Sequence, residues 1–443
     1  MQESEVAGAL FVALNGNDGN PGTKSQPFAT IQHALDVVQP GGTIYVRGGT
    51  YTLDRRILTK NSGRSNAWIT IAGYPGETPV LDATNMDLAF GGDQYSHDLG
   101  AFLVTNNVEY VRVQNLTVKN SPGSGFSICR GRNIILEGNT INGSYTPGIS
   151  TNSTFNHDCS QENITIRYNT LINTNNLDFG RGAENDGEAP HEAISIMGAK
   201  NVEIAYNHIH DTMKEGIDVK ERSSFVTVHH NLVENIARQC FYVDAWFGTL
   251  HDIEFYANIG RNCGFFGFAI SVENNAGGGA ATAHSISFHH NLIDSAGGAA
   301  VYFSRFAADG ERRNIKIFNN TFYNSGHQLG WANGGLTLLS ANVYDTEIVD
   351  NIFVNNAPFQ LGAHTEYGGM SGLAQRNIVV ENNLIFGPQG SGDMMDGTVT
   401  AIEGTNTITA DPLFANPSNG DFTLQPSSPA RGAGRNGGNI GAF

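Results

Sequence analysis

Ten segments of the chain share one pattern: VEYVRVQNLTV, NIILEGNTI, NITIRYNTL, NVEIAYNHI, FVTVHHNLV, DIEFYANIG, SISFHHNLI, NIKIFNNTF, TEIVDNIFV and NIVVENNLI. In each, apolar residues alternate with polar ones, an asparagine follows, and then comes a second short apolar run. Alternation with a period of two is the signature of a strand with one face in a core. The asparagines are Asn115, Asn139, Asn169, Asn207, Asn231, Asn258, Asn291, Asn320, Asn351 and Asn383, spaced between 24 (115 to 139) and 38 (169 to 207) residues apart. One such unit cannot bury its own apolar positions, so the units must stack. Parallel stacking sets equivalent residues about 4.8 Å apart. Ile, Val, Leu and Phe then form continuous inward columns. Asparagine suits the sharp corners and can pair along the stack as an amide ladder. The pattern predicts an all-β chain, a right-handed parallel β-helix.

The ends read differently. Phe28, Ile31, Leu35 and Val38 share one helical face, and the pattern stops at Pro40-Gly41-Gly42. This predicts a short N-terminal capping helix over 28–38, which would shield the open end of the stack from edge-to-edge association. The segment DPLFANPSNGDFTLQPSSPARGAG has turn signals and no clear asparagine rung, and is read as packing along the flank. The organisation expected is one β-helix domain over 1–443, with 1–60 as cap region, 100–390 as stacked rungs and 391–443 as flank.

Composition narrows the partners. Charged residues are only 15% of the chain, Gly numbers 54, and the net charge is −17. Phosphate backbones would be repelled, so nucleic acid is not expected as a partner. No run of 18 apolar residues occurs, so no membrane span is expected. The opening MQESEVAGALFV lacks the basic start and long apolar core of a leader. It is read as a secreted chain, extracellular or periplasmic, whose leader has been removed, and as a monomer. Cys129, Cys159, Cys240 and Cys263 form no CxxC pair, which argues against zinc. They are read as buried free thiols, with a Cys129–Cys159 disulfide as the alternative.

Aligning the second strands on their inward residues pairs Ile217/Val219, Phe241/Val243, Ile270/Val272 and Val301/Phe303. The outward positions then form two columns. One is Ser127, Ser150, Ser195, Asp218, Tyr242, Ser271 and Tyr302. The other is Cys129, Asn152, Met197, Lys220, Asp244, Glu273 and Ser304. Lys220, Asp244 and Glu273 are thus expected as successive neighbours, with Asp218 and Tyr242 beside them. Glu192 and Glu215 hold matching positions just before their strands. Acids, a lysine and a tyrosine gathered over roughly 15 Å of stack point to catalysis or metal binding; a solvated face held by a Lys–Asp ladder is the alternative. Insertions at 173–190, 274–284 and 306–313 would wall a groove. Trp246, Phe247, Phe265, Phe266 and Tyr302 are candidate sugar platforms, although core packing suits the Phe residues better. His191, Arg222 and Arg305 are candidate substrate contacts. The paired histidines of the two HHN segments are read as structural.

Glu192, Glu215 and Asp218 could supply the several carboxylate oxygens that Ca2+ prefers. The start VALNGNDGNPGT…PFATIQHAL…GGTIYVRGGTY and the ending resemble secreted β-helix carbohydrate-active enzymes. The stretch from Glu215 to Lys220, EGIDVK, resembles the acid-then-lysine segments of the alginate lyase and chondroitinase B type of polysaccharide lyase. That resemblance implies Lys220 as base and Glu215 as a calcium ligand. That family carries an Arg one rung later; here Tyr242 and Asp244 stand there, and Tyr242 could protonate the leaving oxygen. The function expected is a lyase that cleaves a uronic-acid polysaccharide by β-elimination. The alternative is a glycoside hydrolase using Asp218, Asp244 and Glu273, for which the carboxylate separation would set the stereochemistry. A non-catalytic carbohydrate-binding surface solenoid is the third reading.

Overall fold

The computed structural model describes residues 5–87, 100–104, 107–151, 161–180, 187–273, 280–330, 333–394 and 397–443. By its contacts the chain divides into two compact units, Met1–Ile217 and Asp218–Phe443. Each is a coil of parallel strands arranged as three sheets, so the β-helix that the repeat predicts is the fold observed.

In the first unit, the first sheet runs through Leu10–Val12, Thr43–Val46, Ile69–Gly73, Glu109–Gln114, Arg132–Glu137, Gln161–Arg167 and Ala199–Ala205. The second sheet contains Ile57–Thr59, Gly100–Val104, Ser124–Ile128, Ile149–Thr151 and Ile194–Met197. The third runs from Gly49–Thr52 to His208–His210. Val111, Ile134, Ile164 and Val202 stand in one register and are buried, one of the apolar columns that drive stacking. Coiling therefore begins near residue 43, well before the expected 100. The early turns lack the asparagine by which a rung is recognised: Gly73 occupies a corner where a Cβ would stand 2.2 Å from the Asn115 carbonyl oxygen.

The second unit repeats the plan. Its second sheet contains Ile217–Lys220, Phe241–Ala245, Phe268–Val272, Val301–Phe303, Leu336–Leu338 and Leu361–His364. It ends in an antiparallel hairpin, Ser391–Met394 with Gly397–Ala401. Phe414, Phe422, Leu424, Ala430 and Ile440 cover Leu292, Ile352 and Leu384 of the third sheet, so the C-terminal segment packs along the flank as its sequence suggests.

Corner and ladder are separate jobs. The left-handed residue is the one before each ladder asparagine: Gly138, Tyr168 and Tyr206 in the first unit, His230, Ala257, His290, Asn319, Asp350 and Asn382 in the second. A left-handed backbone costs about 1 kcal/mol or more outside glycine. The next residue offsets that cost. Asn291, for example, takes the backbone N–H and side-chain amide of Asn258 on its Oδ1, at 2.9 and 3.0 Å, and passes the same two bonds to Asn320. Asn115 departs from the expectation. It is itself left-handed, opposite Gly138, and the ladder position at that rung is Leu116, whose N–H donates to Asn139.

The N-terminal helix is shorter than expected, Ile31–Val37, with Thr30 accepting from the His33 N–H as its cap. Phe28 is held in an extended bridge to Val12, and Asp18 accepts from the N–H groups of Ala29 and Thr30, so the helix cannot begin earlier. The helix packs on Leu10–Val12, Thr43–Val46 and Ile57–Thr59, the first strands of the stack. Among the described residues no helix is long and apolar enough to cross a membrane.

Two cysteines correct the free-thiol reading. Cys240 and Cys263 form a disulfide with Cα atoms 5.4 Å apart. Ile236 stands opposite Cys263 in the third sheet, and the chain turns a corner between Ile236 and Cys240. The pair therefore joins across a corner, which strand alignment alone does not reveal. Cys129 is buried, and Cys159 lies outside the described residues, as does Asn152.

Candidate active site

The second sheet of the second unit carries the charged cluster. Asp218 and Lys220 project outward from Ile217–Lys220, and Lys220 Nζ lies 3.3 Å from Asp218 Oδ2. The Glu221 N–H donates to the Asp244 carbonyl at 2.8 Å, which in a parallel ladder sets Lys220 opposite Asp244. Asp218 is then opposite Tyr242, as the alignment predicts.

Beyond that rung the expected register slips by two. Asp244 stands opposite Ser271, Tyr242 opposite Ala269, and Ala269 opposite Tyr302. Glu273 is therefore not the next member of the Lys220–Asp244 column. It comes just after Val272, which pairs with Ala245, and this sets Glu273 beside Trp246. A period-two pattern leaves shifts of two unmarked, because both registers keep the same residues inside.

The cluster is covered. Asp218, Lys220, Tyr242 and Asp244 are each exposed by 8% or less. Tyr242 packs with Phe266, Ala269, Tyr302, Leu339, Phe359, Met394 and Val399, while its hydroxyl donates to Ser271 Oγ at 3.0 Å. Ser271 Oγ in turn bonds Ser304 Oγ at 2.9 Å. Burial pushes the Tyr242 phenol well above its ordinary range, and the charges of Asp244, Glu273 and Asp218 push it further. Burial also raises the Glu273 carboxyl. Lys220, the indole N–H of Trp246 and Arg238 act in the opposite direction. Within the insertion at 306–313, the fully buried Arg312 donates to the carbonyls of Ser304 and Gly310 and to Asp309.

Residues 10–235, 226 of the 443, match the family described as Pel9A-like, right handed beta helix region. The chain belongs to this family. Residues 315–438 also match a domain of unknown function, DUF5123. Over 81 residues the chain is 36% identical to pectate lyase PEL9 of Emericella nidulans, covering 18% of this chain and 20% of that one. Over 156 residues it is 31% identical to pectate lyase L of Paenibacillus polymyxa, covering 33% and 32%. The matched stretches thus span about a third or less of either relative. Across 92% of this chain and 87% of the other, the fold superposes on the structure of XylC with xylose at a TM-score of 0.57 and 13% identity, a likeness of fold alone.

Within this Pel9A-like β-helix the remaining candidates divide. Trp246 is 45% exposed and can offer a ring to a sugar. Tyr302 cannot, because it is buried with Phe266 stacked on it at 4.2 Å. Its cover comes from residues far along the chain, which strand alignment does not reach. Phe247 and Phe266 are buried, as core packing predicts. Arg222 is exposed beside the Phe247 ring at 5.5 Å, and Arg305 pairs with Glu366 at 2.9 Å. In the first unit, the Ala193 N–H donates to the Glu215 carbonyl, which places Glu192 opposite Glu215. Both carboxylates are buried, and Glu192 accepts from Ser195 Oγ at 2.6 Å. His191 is left-handed, its carbonyl held by Asn175. His289 stacks on Tyr256, and the HHN pairs bond internally through Nδ1, in keeping with a structural role. Among the described residues no three His, Cys, Asp or Glu side chains gather closely enough to hold a metal ion. Arg238, whose charge is felt at Glu273, is a residue that the sequence reading did not single out.

Proposed function

We propose that the protein is a polysaccharide lyase that cleaves a uronic-acid polymer by β-elimination, with Lys220 as the base. The observation that carries this reading is Lys220 itself, a nearly buried lysine projecting among Asp218, Asp244 and Glu273 on the outward face of a parallel sheet. Membership of the Pel9A-like family and the two pectate lyase relatives support the same class. β-Elimination removes the proton on C5, beside the carboxylate, and expels the oxygen at C4. Lys220 would take that proton once its ammonium has lost one of its own, and the acids around it would hold the amine in place. Glu273, whose carboxyl burial raises above its ordinary range, would return a proton to the leaving oxygen. The buried Cys240–Cys263 disulfide supports an oxidising destination, extracellular or periplasmic.

The raised Glu273 carboxyl also favours a second reading, a glycoside hydrolase with Glu273 as acid and Asp244 as its partner. The experiment compares wild type, Lys220→Arg and Glu273→Gln on pectate, alginate and neutral glycans. It follows new reducing ends and the ultraviolet absorbance of an unsaturated uronide separately. A lyase forms the unsaturated product and loses it in Lys220→Arg, since guanidinium does not give up its proton. Reducing ends without that absorbance, with substantial activity kept in Lys220→Arg, would leave the hydrolase standing.

A further inference from the structure

The internal bond of the second HHN pair leaves one nitrogen over. His289 Nε2 lies 3.0 Å from Glu254 Oε1, and a carboxylate only accepts, so the hydrogen is on His289. His289 Nδ1 meets His290 Nδ1 at 2.9 Å. With the pair uncharged, the one proton between those two atoms belongs to His290, and His290 Nε2 is an acceptor. A further proton on His289 reverses the direction: His289 donates to His290 Nδ1, and His290 Nε2 carries hydrogen as a donor. Burial and the His289 ring hold His290 below the ordinary histidine range, which favours its neutral form in both states. Among the described residues His290 Nε2 has no partner.

His290 lines a cavity of about 430 Å³, together with His230, Tyr256, Ala257, Ile259 and Phe443. That size lies within the range of small-molecule pockets. None of the described residues around it is an acid, a lysine or an arginine. The cavity has a cause in the sequence. His230, Ala257 and His290 are the left-handed corners of three successive rungs. An alanine between two imidazoles leaves a gap two strand spacings tall, about 10 Å. In the first unit, where adjacent corners both carry rings, Tyr168 and Tyr206 stack at 5.1 Å and 14° from parallel. A ring of that size is what the Ala257 corner lacks.

Resting on the polysaccharide reading, though not on the choice of lyase over hydrolase, we propose that this cavity is a second carbohydrate-binding site, in which a pyranose ring packs at the Ala257 corner and bonds His290 Nε2 through a hydroxyl. The hydroxyl decides the class of ligand. It donates to an imidazole lone pair and accepts from an imidazole N–H, so it suits either state of the pair. A metal ion suits only the lone pair, and a carboxylate only the N–H. The apolar face of a sugar finds Tyr256 and the 44% exposed Phe443 beside it. With no charged group in the lining, the site takes uronate and neutral rings alike. It lies at the corner between the first and third sheets, apart from the second-sheet cluster. Its part is to tether the polymer, so that the reacting site meets it at a raised effective concentration.

The test compares wild type with Ala257→Tyr, which fills the corner, and His290→Asn, which removes the imidazole. Tyrosine and asparagine already hold this corner elsewhere, at Tyr168 and Asn319. Retention is measured by electrophoresis in gels containing polygalacturonate, alginate or xylan. Kinetics are followed on the polymer that is cleaved and on its trimer. Each variant should weaken retention by about three- to tenfold, the loss expected for a hydrogen bond. KM on the polymer should rise with kcat unchanged, and turnover of the trimer should stay at the wild-type level. In long-range proton–nitrogen NMR spectra of the histidine rings, xylotriose should move the His290 Nε2 resonance of the wild type and not of Ala257→Tyr. Unchanged retention in both variants overturns the site, as does trimer turnover that falls in step with polymer turnover. Cleavage by a wild type that no gel retains overturns the second site and leaves the enzyme reading intact. Retention lost in both variants, with no polymer cleaved by the wild type, supports the second site and overturns the enzyme reading. Neither retention nor cleavage overturns both. A collapsed melting temperature in Ala257→Tyr moves the test to Ala257→Asn, judged by the same retention.

Discussion

The outward face of the second sheet is built from hydroxyls in one unit and from ion-forming groups in the other. In the first unit Ser127, Ser150 and Ser195 stand in one register and are buried; Ser127 and Ser150 are 3.2 Å apart, and Ser195 bonds Glu192. In the second unit Asp218 and Tyr242 follow one column, Lys220 and Asp244 the other, and they are buried too. The backbone frame is the same and the chemistry differs. Serines donate and accept, so such a column can satisfy itself. Acids and a lysine gathered under cover on one face are instead the pattern that marks a candidate site.

That contrast can be broken at Lys220. Lys220→Ala should lower turnover by about a thousandfold or more, within the range for losing a general base, while Ser150→Ala should leave turnover near wild type. Initial rates on the responsive substrate decide it, and comparable losses in the two variants would abolish the distinction. Asp218→Ala should come next. It removes the carboxylate 3.3 Å from Lys220 Nζ while Asp244 still stands opposite, a loss of about 1.5–3 kcal/mol for a bond to a charged group, to be read from denaturant unfolding. Ser195→Ala should cost about 1 kcal/mol.

The disulfide tests the frame around the site. Replacing Cys240 and Cys263 together with serine should cost about 3 kcal/mol for a closed loop of this length, read from denaturant unfolding. Unchanged stability would show that the corner is held by its backbone hydrogen bonds instead. Smaller still, Asn169→Ala and Asn291→Ala should each cost about 2 kcal/mol. Similar values would show that both units rely equally on the ladder. The smallest effect concerns pH. Glu273 holds its proton more tightly in the folded protein than in the unfolded chain, so its contribution is most favourable below the ordinary carboxylate range and is lost as pH rises through the raised value. Glu273→Gln should therefore raise the melting temperature slightly at neutral pH and leave it unchanged under acid conditions. A melting temperature that falls at neutral pH would show that the bond from Trp246 outweighs the burial cost.

The fold was legible because apolar alternation and a ladder asparagine recur from residue 139 onward, and stacking is the arrangement that buries them. The site was legible in part. Lys220, Asp218, Tyr242 and Asp244 stand on adjacent strands of matched length, so their neighbourhood follows from the pattern. Glu273 was displaced because Phe268, Ile270 and Val272 offer three inward positions to Phe241, Val243 and Ala245, and sliding by two preserves inside and outside. Tyr302 was misjudged because its cover includes Met394 and Val399, almost a hundred residues downstream by the numbering. Arg238 had no periodic signal at all: it sits in a turn, and its charge is felt at Glu273.

The amide ladder has a direction. In both units each asparagine gives its backbone and side-chain N–H groups to the Oδ1 of the rung that follows, from Asn139 toward Asn207 and from Asn231 toward Asn383. The hydrogen bonds of neighbouring strands run both ways and largely cancel as dipoles. The side-chain amides do not cancel. Each chain of them is a row of small dipoles joined head to tail, and every link polarises the next. Each unit therefore has an electrical polarity along its own ladder that no net charge records. A severed link also weakens unevenly, releasing donors on one side of the cut and an acceptor on the other.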